Sequence, residues 1–269
     1  MFKDYLKILR EKRPLVHNIT NYVTVNDCAN AILAVGGSPI MSDDIAEVGE
    51  IVSLCQALVI NIGTLNERTL RSMLTAGKCA NQLDIPVILD PVGNGASKLR
   101  TQTTQMLLNE LQFAVIRGNI SEIKAAAGSG TAARGVDASA GDIADDTSSR
   151  LEIAQDLWQK TAAAVVITGA TDVVYSGNKS YVIKNGHSML SRITGSGCMC
   201  SAITATFCGA VKDYSQAAAA AVTVMGIAGE IAATKSSGTG SFRYNLIDAL
   251  SMMNDKILLQ EMNVEEITR

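Results

Sequence analysis

The sequence predicts an α/β fold with a mostly parallel central sheet, and three observations support that class. Short runs rich in Val and Ile alternate with longer segments of helical periodicity along the chain. Runs such as Leu58-Val59-Ile60 and Val87-Ile88-Leu89 are apolar on both faces, as in parallel strands covered by helices on each side. Hydrophobic residues make up 47% of the 269 residues and aromatic residues only 4%. The core must therefore be built from Ala, Val, Ile, Leu and Met.

Six short apolar runs are predicted to be the strands of this sheet. Strand and helix alternate, which defines the α/β class. In chain order the predicted strands are Pro14 to Ile19, Ser38 to Met41, Ala57 to Ile62, Pro86 to Leu89, Phe113 to Ile116 and Ala163 to Thr168.

Helices are predicted between the strands from apolar periodicity and from stop signals such as a glycine after the last periodic residue. At the amino end, Phe2, Leu6 and Leu9 recur at helical spacing. The other predicted helices are Val25 to Val35 ending at Gly36-Gly37, Asn66 to Leu83 closing at Asp84, Arg150 to Lys160, and almost all of Gly197 to Lys256.

Two stretches depart from this alternation. From Asp172 to Leu190 the segments are short and alternating, and Ser176-Gly177-Asn178 has the turn chemistry of a hairpin, which predicts a small antiparallel edge. Gly128 to Thr147 is small and polar enough for a linker, but the sheet pattern continues on both sides of it. We therefore expect a surface excursion within one domain that spans residues 1–269.

Charge and hydropathy exclude several functional classes. The formal net charge is -3, so there is no basic field to attract nucleic acid or an anionic membrane. The longest apolar runs, Cys198 to Val211 and Ala217 to Gly229, fall short of the ~18 residues that a membrane span needs and are predicted to be buried helices. The amino end has no uninterrupted apolar segment, so no signal peptide is expected. Six cysteines without a C-x-x-C pair, and only two histidines, favour a reducing cytoplasm over a zinc site.

Polar residues follow two of the predicted strands, where ligands bind in an open α/β sheet. Asp90 begins a loop that contains glycine, and Asn119 and Glu122 form an N-x-x-E motif where a helix should begin. Each has a structural alternative, because Asp90 fits a turn or cap and Asn119 with Glu122 fits a capping box. A functional role is favoured because these residues and Arg117 would converge on one end of the sheet. Together they would supply oxygen ligands for Mg²⁺ beside a phosphate-binding cation.

A glycine-rich segment, Thr194-Gly195-Ser196-Gly197-Cys198, opens a long apolar helix. Glycines before a helix let backbone N–H groups point at an anion, and the helix dipole adds positive potential. The same field predicts a lowered pKa for Cys198. The alternative is that the glycines serve tight packing around an inert cysteine. Gly169 to Asp172, after another strand, fits either a phosphate contact or an ordinary turn.

Taken together, these motifs resemble the ribokinase-like superfamily, in the N-x-x-E motif Asn119 to Glu122 and the anion loop Thr194 to Cys198. A narrower resemblance is to the hydroxyethylthiazole kinase family. It is carried by PLVHNITNYVT (Pro14 to Thr24), GGSPIMS (Gly36 to Ser42), ALVINIGTL (Ala57 to Leu65), PVILDPVGNGAS (Pro86 to Ser97), IRGNISEI (Ile116 to Ile123), VITGATDVV (Val166 to Val174) and ITGSGCM (Ile193 to Met199).

The resemblance implies a ribokinase-like three-layer fold and an ATP-dependent, Mg²⁺-requiring reaction. The reaction would phosphorylate the hydroxyl of 4-methyl-5-(2-hydroxyethyl)thiazole, a salvage step of thiamine biosynthesis. A homotrimer with the thiazole pocket between subunits is also implied.

Roles for single residues follow from the same resemblance. The implied substrate contacts are Asn21, Val23, Met41 and Gly195. The implied nucleotide contacts are Arg117, Asn119 and Thr168. Asp90 and Glu122 take the places of the acids that organise Mg²⁺ and phosphate, and Cys198 takes the catalytic position. The stretches Gly128 to Thr147 and Ile257 to Arg269 match nothing in the family pattern and receive no role.

The cysteine departs from most ribokinase-like kinases, which have Asp as general base at this place, although the thiazole kinases share it. Cys198 would either orient the alcohol or help remove its proton. One rival function is a related kinase for a hydroxymethylpyrimidine or another small alcohol, although Met41 and Asn21 favour a compact heteroaromatic ring. The others are a thiol hydrolase, with His17 or His187 as base, and a non-catalytic nucleotide sensor.

Overall fold

The computed structural model describes residues 1–128, 146–177 and 179–268. Nine strands of this part of the chain form one sheet. They are β1 (Leu15–Ile19), β2 (Ser38–Ile40), β3 (Ala57–Asn61), β4 (Val87–Asp90), β5 (Val115–Asn119), β6 (Ala164–Thr168), β7 (Asp172–Ser176), β8 (Lys179–Ile183) and β9 (Val264–Thr268).

Helices fill most of the remaining described sequence. They are α1 (Tyr5–Lys12), α2 (Val25–Val35), α3 (Val48–Ser53), α4 (Glu67–Gln82), α5 (Lys98–Glu110), α6 (Ile120–Ala126), α7 (Thr147–Thr161), α8 (Ser196–Ala210), α9 (Tyr214–Thr234), α10 (Thr239–Met252) and α11 (Asp255–Glu261), with a short 3₁₀ helix at Ser188–Arg192.

The strand order is β2-β1-β3-β4-β5-β6-β7-β8-β9. The first six strands of that order pair in parallel, and β7, β8 and β9 continue the sheet in antiparallel pairs. All six predicted strands are therefore confirmed, as is the antiparallel edge. Parallel strands run in the same direction, so their carboxyl ends lie at the same end of the sheet. This holds for β1, β3, β4, β5 and β6.

Helices cover both faces of the sheet, which confirms the three-layer α/β fold. Alternate strand residues enter different cores: Val59 packs into the core that contains α2, α8, α9 and α10, whereas Leu58 and Ile60 pack into the core beneath α4 and α7. Such two-sided burial explains why the strands are apolar throughout.

The two longest apolar runs form α8 and α9 and are buried as predicted, but the expectation that both are too short for a membrane span is wrong for α9, because the helix extends beyond the run to 21 residues. By length and composition, α9 is the one helix in the described residues that could cross a membrane, but 78% of its apolar window is buried inside the fold. The hydropathy of α9 is therefore explained by its position in the core that it shares with α2, α8 and α10.

Four elements were not predicted, and one of them is α11, which lies almost wholly beyond the predicted helical region that ends at Lys256. Helix α5 buries Thr103 and Thr104 beside Leu107, so its buried face is too polar to give an apolar periodicity. Helix α3 is only six residues long. Strand β9 pairs with β8 at the edge of the sheet and exposes most of its side chains, which removes the alternating pattern. The last segment, which matched no family motif, thus completes the sheet.

The predicted hairpin and the predicted surface excursion both include residues that the structure does not describe. Strands β7 and β8 form the hairpin, but Asn178 of its turn lies outside the described residues, as do residues 129–145 of the predicted surface excursion. The alternating pattern was extended too far, since Ser188–Arg192 is a 3₁₀ helix.

Gly36 ends α2 with a φ of 108°, and a Cβ there would lie 2.6 Å from Cγ of Arg10. Arg10 is held in place because its Nη2 donates to the carbonyl of Met253 at 2.6 Å. We expect Gly36→Ala to lower the free energy of unfolding in urea by about 1–2 kcal/mol.

Gly49→Ala is the matched control, because a Cβ at Gly49 in α3 would meet nothing within 4 Å. It should leave stability unchanged or raise it by up to about 1 kcal/mol. Equal losses in the two variants would contradict the assignment of strain to Gly36.

Candidate active site

Two adjoining clefts open where the parallel strands end. The Cys198 cleft has a volume of about 440 Å³, and the Thr168 cleft, beside the β7–β8 hairpin, has a volume of about 660 Å³. Arg117, Ser191, Ser196 and Gly197 line both clefts. A group that leaves one cleft can therefore reach the other at the amino end of α8.

The amino end of α8 is shaped by two glycines. Gly195 has a φ of 88°, and a Cβ there would lie 2.7 Å from Cγ2 of Thr24. A Cβ at Gly197 would lie 2.6 Å from Nη1 of Arg117. The first N–H groups of a helix lack intrahelical partners, so this end offers hydrogen-bond donors to an anion. The glycines let Thr24 and Arg117 approach those donors closely.

Cys198 accepts hydrogen bonds from two buried amides. Nδ2 of Asn21 and Nδ2 of Asn61 each lie 3.2 Å from its Sγ. The same nitrogen of Asn61 donates to Oδ2 of Asp90 at 2.8 Å, and Oδ1 of Asn61 accepts from Asn21 at 3.1 Å. The thiol, both amides and the carboxylate thus form one hydrogen-bonded network.

The prediction of a lowered pKa for Cys198 is wrong. Burial raises the pKa of the Cys198 thiol, and the negative charge of Asp90 raises it further, although the bonds from Thr24, Asn61 and Asn21 act in the opposite direction. The dipole of α8 favours a thiolate, but here the loss of solvent outweighs it. Cys198 is therefore mainly a thiol at neutral pH.

Asp90 ends β4 and is completely buried. Its Oδ2 accepts from Asn61 and from Oγ of Ser201, each at 2.8 Å. Its Oδ1 has no hydrogen-bond partner and lies 4.0 Å from Nη1 of Arg117. Burial raises the pKa of Asp90 despite the nearby guanidinium. One carboxylate oxygen of Asp90 thus remains without a hydrogen bond beside the cleft.

Glu122 closes a capping box and also lines the Cys198 cleft. Oε2 of Glu122 accepts from the backbone of Asn119 at 2.8 Å, and the Asn119 side chain accepts from the backbone of Glu122 at 2.9 Å. Oε1 accepts from the backbone of Gly93 at 2.8 Å. Burial and the charge of Asp90 raise the pKa of Glu122 to about 7. The structural alternative is therefore correct, and it coexists with a position in the cleft.

Arg117 joins the two clefts. Its Nη2 donates to Oγ1 of Thr168 at 2.6 Å, and its Nε is buried without a hydrogen-bond partner. Below it in the Thr168 cleft, Oδ1 of Asp172 accepts from the backbone of Gly169 at 2.7 Å, and burial raises the pKa of Asp172 to about 7. The guanidinium of Arg117 therefore places a positive charge at the junction of the two clefts.

Most residues singled out in the sequence come together here. Met41 does not: it is half-buried against the core and is absent from the lining of both clefts. Those that line the Cys198 cleft are Asn21, Val23, Asp90, Arg117, Asn119, Glu122, Gly195 and Cys198, and Thr168 lines the neighbouring cleft.

Sequence reasoning missed Asn61, Thr24 and Ser201. Asn61 is the last residue of β3, as Asp90 is the last residue of β4. A polar residue at the end of an apolar strand could therefore have identified Asn61 from the sequence. Thr24 precedes α2 and Ser201 lies inside α8, where a hydroxyl carries no distinctive pattern.

Neither histidine bonds to Cys198. Nε2 of His17 is buried 2.8 Å from the carbonyl of Ser42, and Nδ1 of His187 accepts from the backbone of Met189 at 3.2 Å. His187 lines the Thr168 cleft instead. The thiol-hydrolase alternative therefore has no histidine in place to act as its base.

The fold is shared with solved structures of kinases that act on small molecules. The structure is similar to the pyridoxal kinase from Staphylococcus aureus in complex with AMP-PCP and pyridoxal, with a TM-score of 0.64, 13% identity, and coverage of 95% of this chain and 98% of that chain. At this identity the likeness shows the fold alone. Similarity to the hydroxyethylthiazole kinase protein from Pyrococcus horikoshii OT3 is greater, with a TM-score of 0.90, 37% identity, and coverage of 99% and 98% of the two chains.

Sequence comparison narrows the class. The model of the "Hydroxyethylthiazole kinase family" matches residues 6–256. A hydroxyethylthiazole kinase of Ruminiclostridium cellulolyticum is 52% identical over 261 residues, which cover 96% of this chain and 95% of that protein. One of Desulfovibrio desulfuricans is 50% identical over 283 aligned residues, which cover 99% of each. The chain belongs to the hydroxyethylthiazole kinase family.

Glu122→Gln separates the two roles of Glu122. The amide keeps the shape but has one acceptor for two backbone N–H groups, so unfolding should become easier by about 1–2 kcal/mol. Because the charge beside Asp90 is also lost, we expect kcat to fall by about 10–100-fold in steady-state assays.

Thr69→Val is the control, since Thr69 closes a capping box on α4 with Asn66, and neither residue lines the two clefts. It should cost about 1 kcal/mol of stability and leave kcat unchanged. If Glu122→Gln behaves in the same way, Glu122 serves only as a cap.

Proposed function

We propose that the protein transfers the terminal phosphoryl group of ATP to the hydroxyl of 4-methyl-5-(2-hydroxyethyl)thiazole, a salvage step of thiamine biosynthesis. The observation that carries this proposal is the meeting of two clefts at the amino end of α8, with Cys198 on one side and Arg117 between them. Membership of the family supports the choice of alcohol. A hydroxymethylpyrimidine or another small alcohol is the alternative acceptor.

ATP is assigned to the Thr168 cleft and the alcohol to the Cys198 cleft. The Thr168 cleft is the larger and includes Val222 and Met225 of α9, which suit the apolar faces of a base. Phosphates that extend from it would meet the N–H groups of α8 and the guanidinium of Arg117, which favour negative charge. The hydroxyl would lie near Cys198, in line with the transferring group.

Phosphoryl transfer needs positioning and charge neutralisation more than covalent chemistry. Backbone N–H groups of Ser196 to Cys198 and the guanidinium of Arg117 would stabilise the charge on the transferring phosphoryl oxygens. We assign the alcohol proton to the thiolate form of Cys198, whose negative charge is stabilised by the Nδ2 donors of Asn21 and Asn61 until the proton from the alcohol neutralises it. A raised pKa makes the thiolate scarce at neutral pH but a stronger base once it forms.

Mg²⁺ is proposed as the cofactor, held through Asp90 and Glu122. These residues fit it, because both line the Cys198 cleft with hard oxygen donors and Oδ1 of Asp90 is buried without a hydrogen-bond partner. The described residues contain no group of three or more His, Cys, Asp or Glu that could hold a metal, so phosphate and water would supply the other ligands. The ion would neutralise phosphate charge.

A homotrimer with shared thiazole pockets is the proposed assembly. Met41 lies outside the lining of its own Cys198 cleft, so a contact with thiazole requires the cleft of a neighbouring subunit. Val23, which lines this cleft, and its neighbour Tyr22 are 58% and 77% exposed, so an apolar surface beside the cleft is open to a neighbouring subunit. Light scattering at micromolar concentration should give the mass of three chains, and a monomer mass would contradict the proposal.

We place the protein in the cytoplasm, as one kinase domain that spans residues 1–269, with no nucleic-acid or membrane partner. All six cysteines are free thiols, as expected in a reducing compartment. One sheet includes strands from Leu15 to Thr268, which supports a single domain. The net charge of -3 gives no basic field that would attract nucleic acid or an anionic membrane.

The proposed function is tested by ADP release in the presence of ATP and Mg²⁺. Hydroxyethylthiazole, hydroxymethylpyrimidine and ribose are offered as acceptors at equal concentration. Release with the thiazole alone is the expected result. ADP release only with the pyrimidine would show that hydroxymethylpyrimidine, and not the thiazole, is the acceptor. ADP release with none of the three would refute the kinase assignment.

Variants of Cys198 test its role as the proton acceptor. Cys198→Asp should keep substantial activity, because a carboxylate is favoured at a helix start and both amides can donate to it. Cys198→Ala should lower kcat by about 100-fold without abolishing it, since the anion site remains. Steady-state kinetics would contradict this account if the Asp variant folds and binds ATP but is inactive. Inactivity of both Cys198→Asp and Cys198→Ser would instead indicate a covalent nucleophile.

A further inference from the structure

We propose that Glu230 is a positioning residue for the nucleotide, because its carboxylate fixes the loop that forms one wall of the Thr168 cleft. Residues 184–188 form this loop, called here the wall loop, which runs from the end of β8 to the first residue of the 3₁₀ helix. The proposal deepens the proposed function and rests on the assignment of the Thr168 cleft to ATP.

The wall loop depends on side-chain contacts for its position. Asn185, Gly186, His187 and Ser188 all line the Thr168 cleft. Gly186 has a φ of 145°, which L side chains rarely adopt. The backbone N–H of Gly186 donates to a side chain, Glu230, rather than to a neighbouring strand.

Glu230, on α9, accepts hydrogen bonds from two successive residues of the wall loop. Its Oε1 accepts from the backbone N–H of Gly186 at 2.7 Å. Nδ2 of Asn185 lies 3.3 Å from both carboxylate oxygens. Hydrogen bonds to an ionised carboxylate are about twice as strong as neutral ones, so this contact is well suited to hold a loop.

Asn185 extends the connection to the carboxy-terminal segment. It is buried, its Nδ2 also donates to the carbonyl of Glu261 at 2.9 Å, and its Oδ1 accepts from the backbone of Asn263 at 2.7 Å. The backbone N–H of Lys184 donates to the carbonyl of Asn263 at 2.9 Å. The segment that joins α11 to β9 therefore supports the cleft wall from behind.

Helix α9 also touches the wall loop directly. A Cβ at Gly226 would lie 2.8 Å from the backbone of Asn185, and a Cβ at Gly229 would lie 2.8 Å from Cδ1 of Leu190. Gly226 itself lines the cleft. The loop thus lies against a mostly buried helix, and the Glu230 carboxylate supplies the directional hydrogen bonds that fix the loop beside the cleft.

Glu230→Gln tests this role in the full-length protein. The amide preserves shape and its oxygen can still accept from Gly186 and Asn185, but its NH₂ group would face Nδ2 of Asn185, so the bond at Oε2 and the negative charge are both lost. We expect KM for ATP and Kd for ADP by calorimetry to rise about tenfold, the loss expected from one charge-assisted hydrogen bond. KM for the alcohol should stay within about twofold, since no residue of the wall loop lines the Cys198 cleft.

Asp255→Asn is the matched control. Asp255 likewise accepts two backbone N–H bonds from another segment, from Leu6 and Lys7 at 3.0 Å each, and lines neither cleft. It should lower the melting temperature without changing Kd for ADP. Glu230→Asp keeps the charge and should retain part of the ADP affinity, which provides a second reading if the Gln variant does not fold.

The outcomes separate this inference from the proposed function. A lower melting temperature for Glu230→Gln, with Kd for ADP unchanged as in Asp255→Asn, would overturn the positioning role. If the Gln variant does not fold, an unchanged Kd in Glu230→Asp would also overturn it. Wild-type protein that binds ADP but phosphorylates no thiazole would refute the proposed function alone, while weaker ADP binding by Glu230→Gln would still support the inference. Wild-type protein that binds no ADP would overturn both.

Discussion

The buried carboxylate of Asp90 is the constraint around which the site is organised. An ionised group removed from water is costly unless nearby dipoles and charges compensate it. The compensation comes from Asn61 at the end of β3, Ser201 on α8 and Arg117 on β5. Three strands and a helix must therefore be in register before the charge is tolerated. Because Asn61 also bonds to Cys198, the same compensation orients the thiol.

The part of the site that could be predicted from sequence consists of polar residues at the carboxyl ends of strands. Asp90, Arg117 and Asn119 stand at or next to the ends of apolar runs, and parallel strands bring such ends to one edge, so their convergence follows from topology. Asn61 was missed although it occupies the same kind of position. The pKa of Cys198 was predicted in the wrong direction because a helix dipole is visible in sequence, whereas burial and the distance to a carboxylate are properties of the fold.

The same distinction holds for the fold. Strands buried on both faces have an apolar signature, and each predicted one is present. Helix α5 and strand β9 have none, because α5 buries threonines and β9 lies at an edge where its side chains contact solvent. Met41 illustrates a third limit: its sequence context resembles a substrate contact, but the folded chain leaves it outside both clefts, and a sequence motif does not carry that position in space.

The two edges of the sheet have a consequence for the behaviour of the protein at high concentration. An open edge strand is a template for pairing with another chain. At one edge β2 is three residues long and contains Pro39, which has no N–H to donate; at the other, β9 carries Glu265 and Glu266 side by side, both exposed. Sheet growth from chain to chain is thus blocked at both ends by different chemistry. Strand pairing between copies of the chain is therefore disfavoured at either edge, although the strands between them are apolar enough to pair readily.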